Sequence, residues 1–202
     1  MDKLIEGYRH FRGTTWPDRR ALFEKLAREG QRPRALVLAC SDSRVDPTMV
    51  FDAAPGEMFV VRNVANLVPP YMPDANYHGT SAALEFGVCV LEVPDLIVMG
   101  HAMCGGIHAL LRGYRDPTSD FVSDWIQIAA PARDRVLTCT AVDQAQQACE
   151  YEAVKLTLAN LKTFPWIAQR VRDGRLHLHG AYFDIRSGIL ELLGKDGGFA
   201  PA

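Results

Sequence analysis

No stretch of this chain is apolar for anything near the ~20 residues that a bilayer-spanning helix needs, which excludes a spanning helix. Charge of one sign is missing too. The net charge over 202 residues is only -2, so nothing draws the chain to nucleic acid or an anionic bilayer. Its opening residues, Met1-Asp2-Lys3-Leu4-Ile5-Glu6, lack the charged-then-apolar order of a signal peptide, and a reducing, cytoplasmic location is the expectation. The five cysteines are odd in number, widely spaced and free of any Cys-x-x-Cys pair. That excludes a secreted disulfide framework and argues against a thiol redox motif. Internal repeats, low-complexity segments and linkers are absent as well, so residues 1–202 are expected to form a single domain.

A hydrophobic fraction of 48% supports a sizeable core. Short aliphatic runs at 35–39, 58–61 and 96–100 read as buried parallel strands. Residues 176–183 and 189–193 read as a further strand and its hairpin partner. Between them, helices are predicted over 81–92, from 106 to about 113, and over 120–131, 143–161 and 165–172, with a helical turn near 47–51. Strands alternating with helices predict an α/β domain: a central, mainly parallel β-sheet flanked by helices. Two helices at about 3–10 and 17–29 precede the first strand as an N-terminal arm (1–30). Spacing leaves open whether that arm folds back on its own domain or packs on a neighbour.

The chemistry sits at two strand ends. Cys40-Ser41-Asp42-Ser43-Arg44 follows one aliphatic run, and His101-Ala102-Met103-Cys104-Gly105-Gly106 follows another. Parallel strands that both end in metal-capable residues place them in one crevice at the carboxyl edge of the sheet. Two thiols and an imidazole are the soft donor set of zinc, which in catalytic sites keeps three protein ligands and an open position. Cys40, His101 and Cys104 are the strong donors; Asp42 is either a fourth ligand or the group beside the zinc-bound water. Arg44 favours the second, because a guanidinium clamps a carboxylate with two parallel hydrogen bonds and holds it off the metal. The resulting expectation is zinc hydroxide oriented by an Asp42–Arg44 dyad. Cys89, Cys139 and Cys149 read as small hydrophobes inside helices.

These motifs, with Val61-Arg62-Asn63-Val64-Ala65-Asn66 between them, resemble the β-class carbonic anhydrases from about Gln31 to Arg112, and more weakly over 180–188. The resemblance implies one zinc per subunit on Cys40, His101 and Cys104, and reversible hydration of carbon dioxide to bicarbonate. It implies a dimer, or a dimer-based higher oligomer, in which N-terminal helices embrace the partner. Gln31 matches the glutamine that hydrogen-bonds substrate in the open, plant-like form, and Phe59 matches a phenylalanine of the apolar pocket. Phe86 stands where that form commonly has tyrosine. Val64 adds to the slot, and the Gly105 amide stabilises developing oxygen charge. The bicarbonate-regulated form of the family needs a tryptophan, an arginine and a tyrosine. Here those positions hold Val37, Arg62 and Phe183, so an open site is expected. His78 and His108 are the histidines nearest the motifs that could carry protons out. Arg62 reads equally as a loop anchor. Two rivals keep the zinc: a structural zinc protein, opposed by Arg44, and a hydrolase of carbon disulfide or carbonyl sulfide, which sequence leaves open.

Overall fold

A computed structural model describes residues 1–141 and 143–202. Its centre is a sheet in which β1 (Ala35–Cys40), β2 (Met58–Asn63), β3 (Asp95–His101) and β4 (His177–Phe183) run parallel. Two antiparallel strands, β5 (Leu190–Leu193) and β6 (Phe199–Pro201), extend one edge, giving the order β2-β1-β3-β4-β5-β6. All six residues of β1 are buried, as a strand covered on both faces requires. Leu36 and Leu38 join Leu84, Val88, Val154 and Leu158 on one side; Val37 and Ala39 join Met99 and Ala181 on the other. In register, Cys40 lies opposite Asn63 and Ala39 opposite Met99, so β1 and β3 deliver Cys40 and His101 to the same edge of the sheet.

The helices are α1 (Asp2–Gly13), α2 (Thr15–Glu29), α3 (Pro47–Val50), α4 (Gly79–Glu85), α5 (Gly105–Leu111), α6 (Val122–Ile126), α7 (Ala130–Cys139), α8 (Ala145–Leu161) and α9 (Pro165–Arg172). Neither α1 nor α2 buries a residue. Phe11, Trp16 and Phe23 cluster between the two, and Leu26 of α2 lies against Gly56, where an added Cβ would come within 2.7 Å of it. The arm thus touches its own domain through α2, while Leu4, Ile5 and Tyr8 of α1 remain exposed.

Three elements differ from the sequence reading. The helix expected over 81–92 starts at Gly79 and widens into a π turn over Phe86–Val90. Gly87 is what allows it to approach the sheet: a Cβ there would sit 2.4 Å from Leu36 Cδ1 and 3.3 Å from Phe59 Cδ1. The turn leaves Phe86 and Val90 43% and 62% exposed. The helix expected over 120–131 divides into α6, a 3₁₀ turn and α7. Pro131 lies in the first turn of α7 instead of ending a helix, where its missing N–H costs nothing. Finally, β6 was not foreseen. Of the three cysteines read as small hydrophobes inside helices, all lie in helical segments; Cys149 is buried, Cys89 is half-buried and Cys139 is exposed.

Candidate metal centre

Cys40 closes β1, His101 closes β3, and Cys104 is the N-cap of α5 three residues past that strand. The two thiol sulfurs and one ring nitrogen lie within 4.8 Å of one another, and all three residues are buried. His101 Nδ1 is 2.9 Å from the Ala102 carbonyl. Donation of its N–H there fixes the tautomer and turns the Nε2 lone pair inward, the usual arrangement of a metal-binding imidazole. That Nε2 has no hydrogen-bond partner among the described residues. An unsatisfied buried nitrogen costs about 1–3 kcal/mol, a penalty a coordinated cation removes. The thiols make the same case. Without a cation the pair shares one proton: a hydrogen bond from Cys104 holds the Cys40 pKa low despite burial, and the proton so held, with burial, drives Cys104 up. Two thiolates this close ionise together only around positive charge. Backbone amides already face both sulfurs, from Asp42 and Ala65 at Cys40 and from Gly106 and Ile107 at Cys104. The donor set fits zinc.

Asp42 stands beside this trio. Arg44 Nε donates to Oδ1 at 2.9 Å and Nη2 to Oδ2 at 2.7 Å, with the Arg44 amide also on Oδ1 at 2.9 Å. The Arg44 side-chain bonds, ahead of every other influence, hold the carboxyl well below the usual carboxylate range. Oδ2 lies 4.0 Å from His101 Nε2. Arg44 also ties the two motifs together, through Nη2 to the Met103 carbonyl at 3.1 Å. Arg62 anchors the loop: it donates to the carbonyls of Cys40, Asp42 and Val45 at 2.9, 2.7 and 3.1 Å, and pairs with Asp46.

The flanking backbone is strained. Ala65, Asn66 and Met103 have φ of 62°, 49° and 59°, a left-handed conformation that disfavours any residue with a Cβ. Asn63 braces the first pair by exchanging two hydrogen bonds with Leu67, at 2.8 and 2.9 Å. In the glycine pair, Gly106 is the one that permits close approach: a Cβ there would meet Ala65 Cβ and Val64 Cγ1 at 3.0 Å, whereas nothing lies within 4 Å of one at Gly105.

Sequence reasoning missed the support from α8. Glu150, 3% exposed, accepts the Cys104 amide at 2.8 Å, and Gln146 donates to the Cys104 carbonyl at 3.2 Å. Polar residues lie all around α8, Gln147, Glu152 and Lys155 among them, so no local pattern singled out Glu150.

The expected pocket residues do not join the trio within one chain. Phe59 pairs with Leu36, four strand positions and so roughly 13 Å from Cys40. Phe86 is its neighbour, at 5.8 Å between ring centroids, and exposed Gln31 precedes β1 at that same far end. Val64 is close, through its contact at Gly106. His78 pairs with Asp74 at 2.7 Å and, with Asn63, Val64 and Trp125, lines an open groove. His108 is exposed on α5.

Two thiols, an imidazole and an ionised carboxylate at the carboxyl edge of a parallel sheet make the protein a zinc enzyme by class, since a disulfide-exchange site has no use for the ring or the clamp. The family model described as carbonic anhydrase matches residues 35–190. "Beta carbonic anhydrase 3" of Arabidopsis thaliana is 37% identical over all of this chain and 80% of the relative. "Carbonic anhydrase" of Synechococcus elongatus is 38% identical over 93% of this chain and 70% of the relative. Among solved structures, the β-carbonic anhydrase CcaA superposes with a TM-score of 0.93 at 35% identity, covering 100% of this chain and 92% of that one. A tetrameric β-carbonic anhydrase of Sordaria macrospora gives 0.82 at 28%, with 96% of each chain covered. The chain belongs to the β-carbonic anhydrases, zinc enzymes that hydrate carbon dioxide.

Proposed function

We propose that the chain interconverts carbon dioxide and bicarbonate with Cys40, His101 and Cys104 holding one zinc per subunit, and with the Asp42–Arg44 pair orienting the attacking water. When bound, zinc supplies the Lewis acidity that brings a water's pKa to about 7. The chain's own residues do the rest. Oδ1 of Asp42 is occupied by two hydrogen bonds from Arg44, whereas Oδ2 takes one and faces His101 Nε2 at 4.0 Å. An acceptor-only carboxylate in that place draws the water's O–H toward itself and leaves a lone pair for the substrate carbon. Gly105 is the first residue of α5, so its amide lies outside the helical ladder and can donate to an oxygen on which charge develops. Arg62 is committed to the main chain of the 40–46 loop, which supports an open site without a regulatory anion.

Gln31, Phe59 and Phe86 enter from a second copy. In support, they gather at the far end of β1, Phe86 and Val90 are exposed beside them, and α1 presents unpartnered Leu4, Ile5 and Tyr8. A homodimer or dimer-based assembly in the cytoplasm is the reading that uses these faces.

The observation that carries the mechanism is the Arg44 fork holding Asp42 beside His101. Stopped-flow carbon dioxide hydration, paired with metal analysis, tests it. Arg44→Ala keeps one zinc per chain and loses turnover by about 10–100-fold, the usual effect of removing a group that orients a metal site. Wild-type turnover in a zinc-loaded Arg44→Ala protein would sink the clamp. Running carbon disulfide and carbonyl sulfide alongside decides between the sulfur substrates and carbon dioxide.

A further inference from the structure

The α8 helix packs behind β3 and β4, and within it Glu150, Thr157 and Asn160 are buried among apolar residues. With Gln146 these stand at intervals of four, seven and three, which keep them on one helix face. Each reaches main chain beside the metal donors. Gln146 Nε2 donates to the Cys104 carbonyl at 3.2 Å, and Glu150 Oε1 accepts the Cys104 amide at 2.8 Å. Thr157 Oγ1 donates to the Asn66 carbonyl at 3.2 Å, and Asn160 Nδ2 to that of Val68 at 2.8 Å. One helix face therefore grips both the Cys104 turn and the strained loop whose Ala65 amide points at Cys40.

We propose that Glu150 is a positioning residue of the metal centre, aiming the Cys104 thiolate through that residue's main chain; this rests on reading Cys40, His101 and Cys104 as the zinc donors. Cys104 is an N-cap preceded by left-handed Met103, so its N–H lies outside the helical ladder and must find an acceptor elsewhere. Glu150 supplies one from a fixed direction. Its carboxylate is itself held from three sides, by the Cys104 amide, by Gln146 Nε2 at 2.6 Å and by Tyr182 Oη at 2.8 Å. A buried carboxylate is poor packing for a helix against a sheet, and an aliphatic side chain would serve that purpose better. What only Glu150 provides is a rigid acceptor at the donor turn. Second-shell partners of this kind typically change metal affinity by about 10–100-fold.

The test is zinc affinity by competition with a chromophoric chelator, together with the thiolate-to-metal charge-transfer band of the cobalt(II) protein. Glu150→Ala is expected to bind zinc about 10–100-fold more weakly and to shift the cobalt band. Glu150→Gln keeps a carbonyl oxygen for the Cys104 amide and is expected to restore most of both. Wild-type affinity and spectrum in Glu150→Ala overturn the proposal. So does a folded Glu150→Gln protein as impaired as the alanine variant, because charge and not the hydrogen bond would then be at work. Should Glu150→Ala fail to fold, half-buried Gln146→Ala decides: a several-fold loss of zinc affinity supports the proposal and an unchanged value overturns it. Failure of the wild-type chain itself to bind zinc would fall on the donor assignment, and so is distinguishable.

Discussion

Asp184 and Arg186 repeat the fork made by Asp42 and Arg44. The Arg186 amide and Nε meet Asp184 Oδ1 at 2.8 and 3.0 Å, and Nη2 meets Oδ2 at 2.9 Å. Both pairs follow the last residue of a parallel strand, β1 in one case and β4 in the other. An acid and an arginine two positions apart after a strand therefore make a local clamp with or without chemistry, and what distinguishes Asp42 is the ring and thiols beside it. Arg186 holds the Asp184 carboxyl below its ordinary pKa. A depressed carboxyl stabilises the fold fully above its unfolded pKa, and the contribution is lost as pH falls through the folded value. Arg186→Ala should thus lower the urea midpoint modestly at neutral pH. Its deficit against wild type should shrink as the solution is acidified below about pH 4, where ordinary carboxylates protonate. Zinc content and turnover should be untouched; a loss as large as in Arg44→Ala would mean that the fork matters irrespective of where it sits.

Among the secondary elements, α5 comes close to the 64–65 loop through Gly106. Gly106→Ala pushes a methyl to 3.0 Å from both Ala65 Cβ and Val64 Cγ1, and the surrounding loop is already strained. A loss of about 1–3 kcal/mol is expected, the usual cost of overpacking. Gly105→Ala meets open space and gains up to about 1 kcal/mol of helix propensity. Chemical unfolding of the two variants checks this, and equal stabilities would contradict the asymmetry. The elements that proved legible in sequence share a cause. The runs at 35–39 and 96–100 are aliphatic because both faces are covered, and Cys40 and His101 inherit their places from the strands they end. The parts that were not legible depend on contacts far along the chain. Glu150 meets a partner 46 residues upstream, and Phe86 is turned outward by a π turn that no local pattern announces. Pro131 was misjudged for a simpler reason: in a first turn and at a helix end, proline looks the same. The Asp42–Arg44 fork was readable because it closes within three residues.

For the whole molecule, the relevant feature is apolar surface left open on α1. Leu4 is 73% exposed and Tyr8 58%, on a helix that buries nothing. The paired substitution Leu4→Asp and Tyr8→Asp touches no core residue, so thermal stability of the isolated chain should hold. If α1 lies on a second copy, sedimentation should show a smaller particle with zinc retained and turnover reduced, since Phe59 and Phe86 would no longer be delivered to a neighbour's site. An unchanged particle mass would place the contact elsewhere on the chain.

The buttress on α8 also has a bearing on biosynthesis. A ribosome has released all three donors once residue 104 emerges, yet the acceptor for the Cys104 amide is residue 150 and the grip on the 66–68 loop waits for residues 157 and 160. If Glu150 positions Cys104 as proposed, a nascent chain offers zinc its ligands well before it can hold them still, and tight metal capture should wait until α8 has been made.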